Sequence, residues 1–165
     1  MTAPVRAGPD RTGTLYFEDF TPGRVFEWGE MSLSAEDIVA FGRQFDPVPL
    51  HTDPAAAAQS QFGGLIASGW QVAALMQRMQ YECYLKRAAV IASPGVDGLE
   101  FRRPVRPGEP LSLRVEVIDS RRSRSRPDRG LVRVLATLID RDGETVLEKR
   151  GKSFFRTRPA EAGAR

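Results

Sequence analysis

SGWQVAALMQRMQYECYLK, residues 68–86, is the stretch on which the fold turns. Val72, Leu75, Met76, Met79 and Cys83 recur at spacings of three and four, which places them on one side of a helix. Ser68 can cap its start, and Gly69 then falls in its first turn. Its other faces still carry Ala73, Ala74 and Tyr81, so the reading predicts a helix reaching about Lys86 and buried on more than one side. Downstream the hydrophobic period falls to two. Leu111, Leu113, Val115 and Val117 alternate with Ser112, Arg114 and Glu116, a half-buried strand. Residues 131–139 and 145–157 read as further strands joined through Asp142 and Gly143, and 98–103 as a shorter one ending before Pro104.

Upstream, a first strand is expected near residues 24–33. Ser34 then caps a helix with Ile38, Phe41 and Phe45 on its apolar face and Glu36 and Asp37 at its positive end. Pro47 stops that helix near Phe45, because the residue before a proline is pushed toward extended backbone. Asp53 followed by Pro54 starts a short alanine helix, ended by Gly63 and Gly64. One strand, helices, then a run of strands indicates an α+β domain whose antiparallel sheet wraps one long helix.

At 165 residues the chain fits one domain, 1–165, with 1–12 and 159–165 as loose tails. A chain of this size buries enough surface to fold without disulfide or metal. One cysteine, Cys83, excludes an internal disulfide and, lying among apolar helix positions with no obvious base, reads as core filler. No apolar run is long enough for a membrane span and no leader is visible, so the expected compartment is the cytoplasm. Residues 121–129, RRSRSRPDR, hold five arginines against one aspartate, more charge than the chain's whole net +3. The basic character is therefore local, which speaks against a broad nucleic-acid-binding face.

The lone histidine, His51, follows Asp46 by five residues, with Pro47 and Pro49 between them. On a helix five residues span roughly 140° of rotation. The two prolines point instead to a stiff loop, which can aim a carboxylate and an imidazole at one spot for proton transfer. The same residues also fit a plain helix end and a local hydrogen bond. Gly69 has two readings as well: a helix-terminal N–H that stabilises negative charge on a carbonyl oxygen, or a small residue that allows tight packing beside a capping Ser68. Ser68, His51 and Asp46 contain the residue types of a hydrolase triad, but no Gly-x-Ser-x-Gly elbow surrounds the serine. One His and one Cys do not supply a structural zinc site, and no metal is expected.

Residues 41–70 resemble the MaoC-like acyl dehydratases, relatives of the (R)-specific enoyl-CoA hydratases. Their signature runs Asp, any residue, Asn, Pro, an apolar residue and His, with a small residue after five more. Asp46, Pro49, Leu50, His51 and Ala57 match it. The likeness extends over Tyr16–Asp19, Pro22-Gly23, Phe62–Trp70, Ser93–Gly95, Arg103–Gly108 and Ser123–Pro127. Val48 stands where the family has asparagine, and Ser68 where a histidine is common.

The resemblance implies a hot dog fold and a homodimer or an assembly of dimers. It implies that Asp46 and His51 activate one water for syn addition to a trans-2-enoyl thioester, with the Gly69 N–H on the thioester carbonyl. Ser68, Trp70, Arg124 and Arg126 are expected at the acyl-CoA, coenzyme A being part of the substrate and no separate cofactor being needed. The arginine segment fits first a solvated loop, then a contact for coenzyme A phosphates, for which Arg124 and Arg126 are the candidates, and last RNA binding; no nucleic-acid partner is expected. A hot dog thioesterase and a non-catalytic acyl-CoA-binding protein are the alternative functions.

Overall fold

The computed structural model describes residues 13–160, so residues 1–12 and 161–165 of the expected tails lie outside the described residues. Five strands form one antiparallel sheet in the order β1-β3-β4-β5-β2: β1 Val25–Met31, β2 Val90–Phe101, β3 Leu111–Arg122, β4 Arg129–Ile139 and β5 Thr145–Arg156. Alternation works as read in β3 and β4, where Leu111, Leu113, Val115, Val117, Val132, Val134, Ala136 and Leu138 are buried and their neighbours are more open. Four helices connect β1 to β2: α1 Ala35–Phe45, α2 Pro49–Thr52, α3 Pro54–Ala58 and α4 Gly69–Cys83. The sheet curls against α4, which is the hot dog arrangement.

α4 packs on β1 and β3 through Val72, Leu75, Met76 and Met79. Its ends are held differently. Ser68 caps the first turn, accepting from the Trp70 N–H at 3.2 Å. At the far end Tyr84 stacks on Phe26 at 4.9 Å and meets Phe20 edge-on, while Phe20 stacks on Phe155 at 4.2 Å. Such aromatic contacts each add about 0.5–1.5 kcal/mol beyond area burial. They fix α4 along its axis, and so fix where its first turn lies. Gln71 Nε2 also donates to the Asp37 carbonyl at 2.9 Å, tying α4 to α1.

Four expectations need correction. α4 is buried on one side only: Ala74 and Tyr81 are exposed, because a single sheet face covers it. It also ends at Cys83, and residues 85–87 form a separate 3-10 turn. α3 stops at Ala58, before the glycines, as the chain turns through Gln59 and Ser60. β2 is twelve residues long rather than a short 98–103 segment. It carries Pro94 and three register shifts, and as an edge strand it accommodates both. These features erased the alternation that revealed the other strands.

One cation sits on the inner face of the sheet. Lys149 pairs across from the buried Ala136 and donates to Gln77 Oε1 on α4 at 3.2 Å. Burial pulls its ammonium down to about 8. The unfolded chain binds this proton more tightly, so the charged lysine costs stability below about pH 8, and the cost fades as pH rises toward the unfolded value near 10.5. Lys149→Met is expected to raise unfolding free energy at pH 7 by about 1–3 kcal/mol and by little at pH 10.5, read by urea denaturation at both pH values.

Candidate active site

Asp46 arrives at the site as the C-cap of α1, its N–H bonded to the Gly42 carbonyl at 2.9 Å. α1 begins with the expected Ser34 cap, reinforced by the Asp37 carboxylate, which accepts from the Ser34 N–H and hydroxyl. Pro47 ends the helix as expected, and Phe45 is left 64% exposed. The segment that follows is not the loop expected. Pro49 starts the single turn α2, with His51 inside it. Proline at the first helical position gives up an N–H that has no helical partner anyway, so here it favours a turn.

Val48 is the N-cap of that turn and offers no side-chain hydrogen bond. Asparagine, which the resemblance places at this position, is among the best capping residues, which gives the departure a structural meaning. Gly42 lets α2 approach α1. A Cβ there would lie 2.7 Å from the His51 carbonyl oxygen and 3.0 Å from its Cβ.

His51 is oriented by the backbone. Its Nδ1–H donates to the Ile66 carbonyl at 2.8 Å, the proton being assigned to Nδ1 because a carbonyl can only accept. That leaves Nε2 facing Asp46 Oδ2, 3.6 Å away. The Ser68 hydroxyl donates to the same Oδ2 at 2.6 Å while accepting from Trp70. Ser68 is fully buried and its hydroxyl is engaged with the carboxylate. Asp46 and His51 side chains keep 26% and 12% of their exposure.

The segment between α3 and α4 is tied down on both sides. The Ile66 N–H donates to the Leu50 carbonyl at 3.2 Å and the Ala67 N–H to the Val105 carbonyl at 2.9 Å. Arg106 donates to the Gly64 carbonyl at 3.0 Å and to the Phe62 carbonyl. These contacts hold Ile66 under the imidazole and Ser68 beside the carboxylate. Gly42, Ile66 and Arg106 were not singled out as site residues in the sequence; each acts through a contact remote in the chain, and no local pattern marks it.

Gly69 is the first residue of α4, where the N–H lacks an intrahelical acceptor. The tight-packing reading also applies: a Cβ on Gly69 would come within 2.8 Å of the Phe101 ring. Trp70 is 64% exposed, its ring edge-on to Phe101 at 6.2 Å. Arg124 and Arg126 are not brought to this site. They lie beyond the ends of β3 and β4, while Gly69 and Phe101 mark the opposite end of the sheet.

The remaining chemistry is quiet. Cys83 is half-buried, its thiol pushed up to about 11 by desolvation, with a contact to the Glu27 carbonyl at 3.6 Å. Among the described residues no group of three or more His, Cys, Asp or Glu side chains is placed to hold a metal ion. Among them, too, no helix is long and apolar enough to cross a membrane.

Comparison with known proteins supplies the context. The Bacillus subtilis protein YdeM is 31% identical over 81% of this chain and 94% of its own length. A 3-hydroxybutyryl-CoA dehydratase of Methylorubrum extorquens is 34% identical over 64% of this chain and 65% of that enzyme. The crystal structure of a MaoC-like dehydratase from Rhodospirillum rubrum superposes with a TM-score of 0.82 at 36% identity, covering 88% of this chain and 99% of that one. The MaoC-like domain model matches residues 19–138, which include the Asp46–His51 pair and the start of α4, and the chain belongs to the MaoC-like dehydratase family.

Proposed function

We propose that the protein catalyses reversible syn addition of water to a trans-2-enoyl-CoA, giving an (R)-3-hydroxyacyl-CoA. The observation that carries this is the pairing of the His51 Nε2 with the Asp46 carboxylate, 3.6 Å apart. Two acceptors at that separation gain from a water that donates a hydrogen to each. The water oxygen then keeps its lone pairs for attack. As it bonds to C3, the dyad takes one of its protons, and the C2–C3 π electrons move onto the thioester oxygen. The Gly69 N–H and the positive end of α4 stabilise that oxygen. The dyad returns the proton to C2 on the face that received the oxygen. One O–H bond and the C2–C3 π bond break, and one C–O and one C–H bond form. No cofactor is called for beyond the coenzyme A of the substrate. The similarity to a 3-hydroxybutyryl-CoA dehydratase supports a short-chain thioester as the first substrate to try.

With crotonyl-CoA, the account expects loss of enoyl absorbance without release of free thiol; thiol release would instead mark a thioesterase, and binding without turnover a non-catalytic protein. Asp46→Asn and His51→Ala are each expected to lower kcat by about 10²- to 10⁴-fold, with a double variant losing less than the product because both act on one water. Ser68→Ala leaves the carboxylate in place but removes its donor, so its loss is expected to be smaller. Initial rates together with circular dichroism check all four proteins; unchanged rates in both single variants would remove the dyad from the mechanism.

We further propose that the working form is a dimer of this chain paired along β2. That strand is an unpaired edge twelve residues long, with Val90, Val96 and Phe101 exposed, and the exposed Trp70 and Tyr81 of α4 add to the open apolar surface. An open edge strand offers unpaired backbone groups for strand pairing, and a two-fold axis makes the same strand its own antiparallel partner. Light scattering at micromolar concentration is expected to give twice the 18.3 kDa chain mass. Val96→Lys should shift it toward the monomer; a fully active monomeric wild type would contradict the assembly.

A further inference from the structure

The sequence holds three lysines, and two of them are paired: Lys86 with Glu82 at 3.1 Å, and Lys152 with Asp97. Lys149 has no carboxylate partner among the described residues; its ammonium donates to the neutral Gln77 Oε1 at 3.2 Å. It stands in a cross-strand row on the inner face of the sheet, Phe26, Val115, Ala136, Lys149 and Leu99, of which the first three are buried and apolar. Its stem runs beside Gly151, where a Cβ would sit 3.6 Å from Lys149 Cε. An uncharged donor would make the same bond to Gln77 with less desolvation. With its ammonium near 8, Lys149 is nevertheless mostly charged at neutral pH. A residue that costs stability at a well-packed position points to a task other than folding.

Lys149 lies a short way from the Gly69 N–H. Phe101, whose ring faces Gly69, pairs with Leu147, so Lys149 is two residues and one strand further on, about 8 Å between Cα positions. On the helix, Ala73, Gln77 and Gln80 fall on the side of α4 that Gly69 turns toward Phe101, and Gln77 is about 12 Å along the axis from Gly69. Between these ends the partly buried Ala73 and Leu99 supply apolar surface suited to methylene groups. With a hydrogen bond of about 3 Å at each end, a chain of about six carbons bridges the interval. A second donor on the same side of α4 also lacks an acceptor. Gln80 is 2% exposed and accepts from the Tyr84 hydroxyl at 3.3 Å, while its Nε2 is buried with no hydrogen-bond partner among the described residues. A buried N–H left unpaired is costly, and a ligand oxygen would satisfy it.

We infer that the site takes an enoyl thioester whose acyl chain ends in a carboxylate, which Lys149 receives with Gln77 and Gln80 beside it; the inference rests on the hydratase reading. The thioester oxygen sits at the Gly69 N–H, the methylenes run past Ala73 and Leu99, and the terminal carboxylate supplies the charge that the ammonium lacks. Crotonyl-CoA is too short to reach Lys149, so it reports on the dyad and not on this contact.

Calorimetry on the full chain with two saturated thioesters of equal length, adipyl-CoA and hexanoyl-CoA, tests the contact without chemistry. The wild type is expected to bind adipyl-CoA about tenfold or more tighter, since a charge-assisted hydrogen bond is made by one ligand alone. Lys149→Met should abolish that advantage and Lys149→Arg should keep it. A merely structural lysine would move both ligands together. In kinetics, Lys149→Met should lower kcat/KM for trans-2-hexenedioyl-CoA by about 10- to 100-fold, chiefly through KM, and raise it for trans-2-hexenoyl-CoA. Should Lys149→Met lose native circular dichroism, Lys149→Gln serves the same comparison. Equal affinity of the wild type for the two saturated thioesters, or an adipyl-CoA preference that survives loss of the lysine, would overturn the proposal; hydration of trans-2-hexenoyl-CoA in that case would leave the hydratase reading standing. Lysine-dependent preference for adipyl-CoA with hydration of neither enoyl thioester would do the reverse.

Discussion

The Ser68 hydroxyl serves two parts of the molecule at once: it accepts from the first turn of α4 and donates to the Asp46 carboxylate at 2.6 Å. Through that one oxygen the buried helix and the end of α1 share a fixed point. α4 cannot slide along its axis without breaking the bond, and the aromatic contacts of Phe20, Phe26, Tyr84 and Phe155 oppose such a slide from the other end. Because Asp46 is held, the position of its Oδ2 relative to His51 Nε2 is set as well. The distance on which the chemistry depends is thus a consequence of how the core packs. Loss of a charge-assisted hydrogen bond of this kind typically costs about 1.5–3 kcal/mol, ample to disturb a pair that works by geometry.

Much of this was open to reading from the residues. Ser34, Ser68 and Asp53 each cap the helix they precede, the alternation in 111–117 marks one strand, and 131–139 and 145–157 read as two more. What escaped was non-local or carried by an ambiguous residue. Pro49 reads equally as a breaker or as the first residue of a turn, and only packing against Gly42 decides between them. β2 hides behind Ser93, Pro94 and Gly95 because an edge strand tolerates residues that a central strand does not. The contact between Ser68 and Asp46 spans 22 positions and that between His51 and Ile66 spans 15, so neither leaves a periodic trace. Asp46 and His51 themselves were legible as a pair; which nitrogen faces the carboxylate was not.

The exposed parts follow the same logic as the buried ones. Among the described residues, β2 leaves twelve residues of open edge, and Trp70 and Phe101 are exposed near the start of α4. The dimer proposed above would account for both. The proposed pairing along β2 would cover the edge and bring Trp70 and Phe101 toward the junction. Trading a solvated edge for strand pairing is the usual way such surfaces are removed.

The central claim is that one dyad handles both ends of the water addition from a single side of the substrate. Hydration of crotonyl-CoA in D₂O, followed by proton NMR of the isolated 3-hydroxybutyryl-CoA and chiral analysis at C3, tests it most directly. The account predicts the R configuration at C3 and a single deuterium at C2, placed by its coupling constant on the face that received the oxygen. An S product, or deuterium delivered to the opposite face, would contradict it.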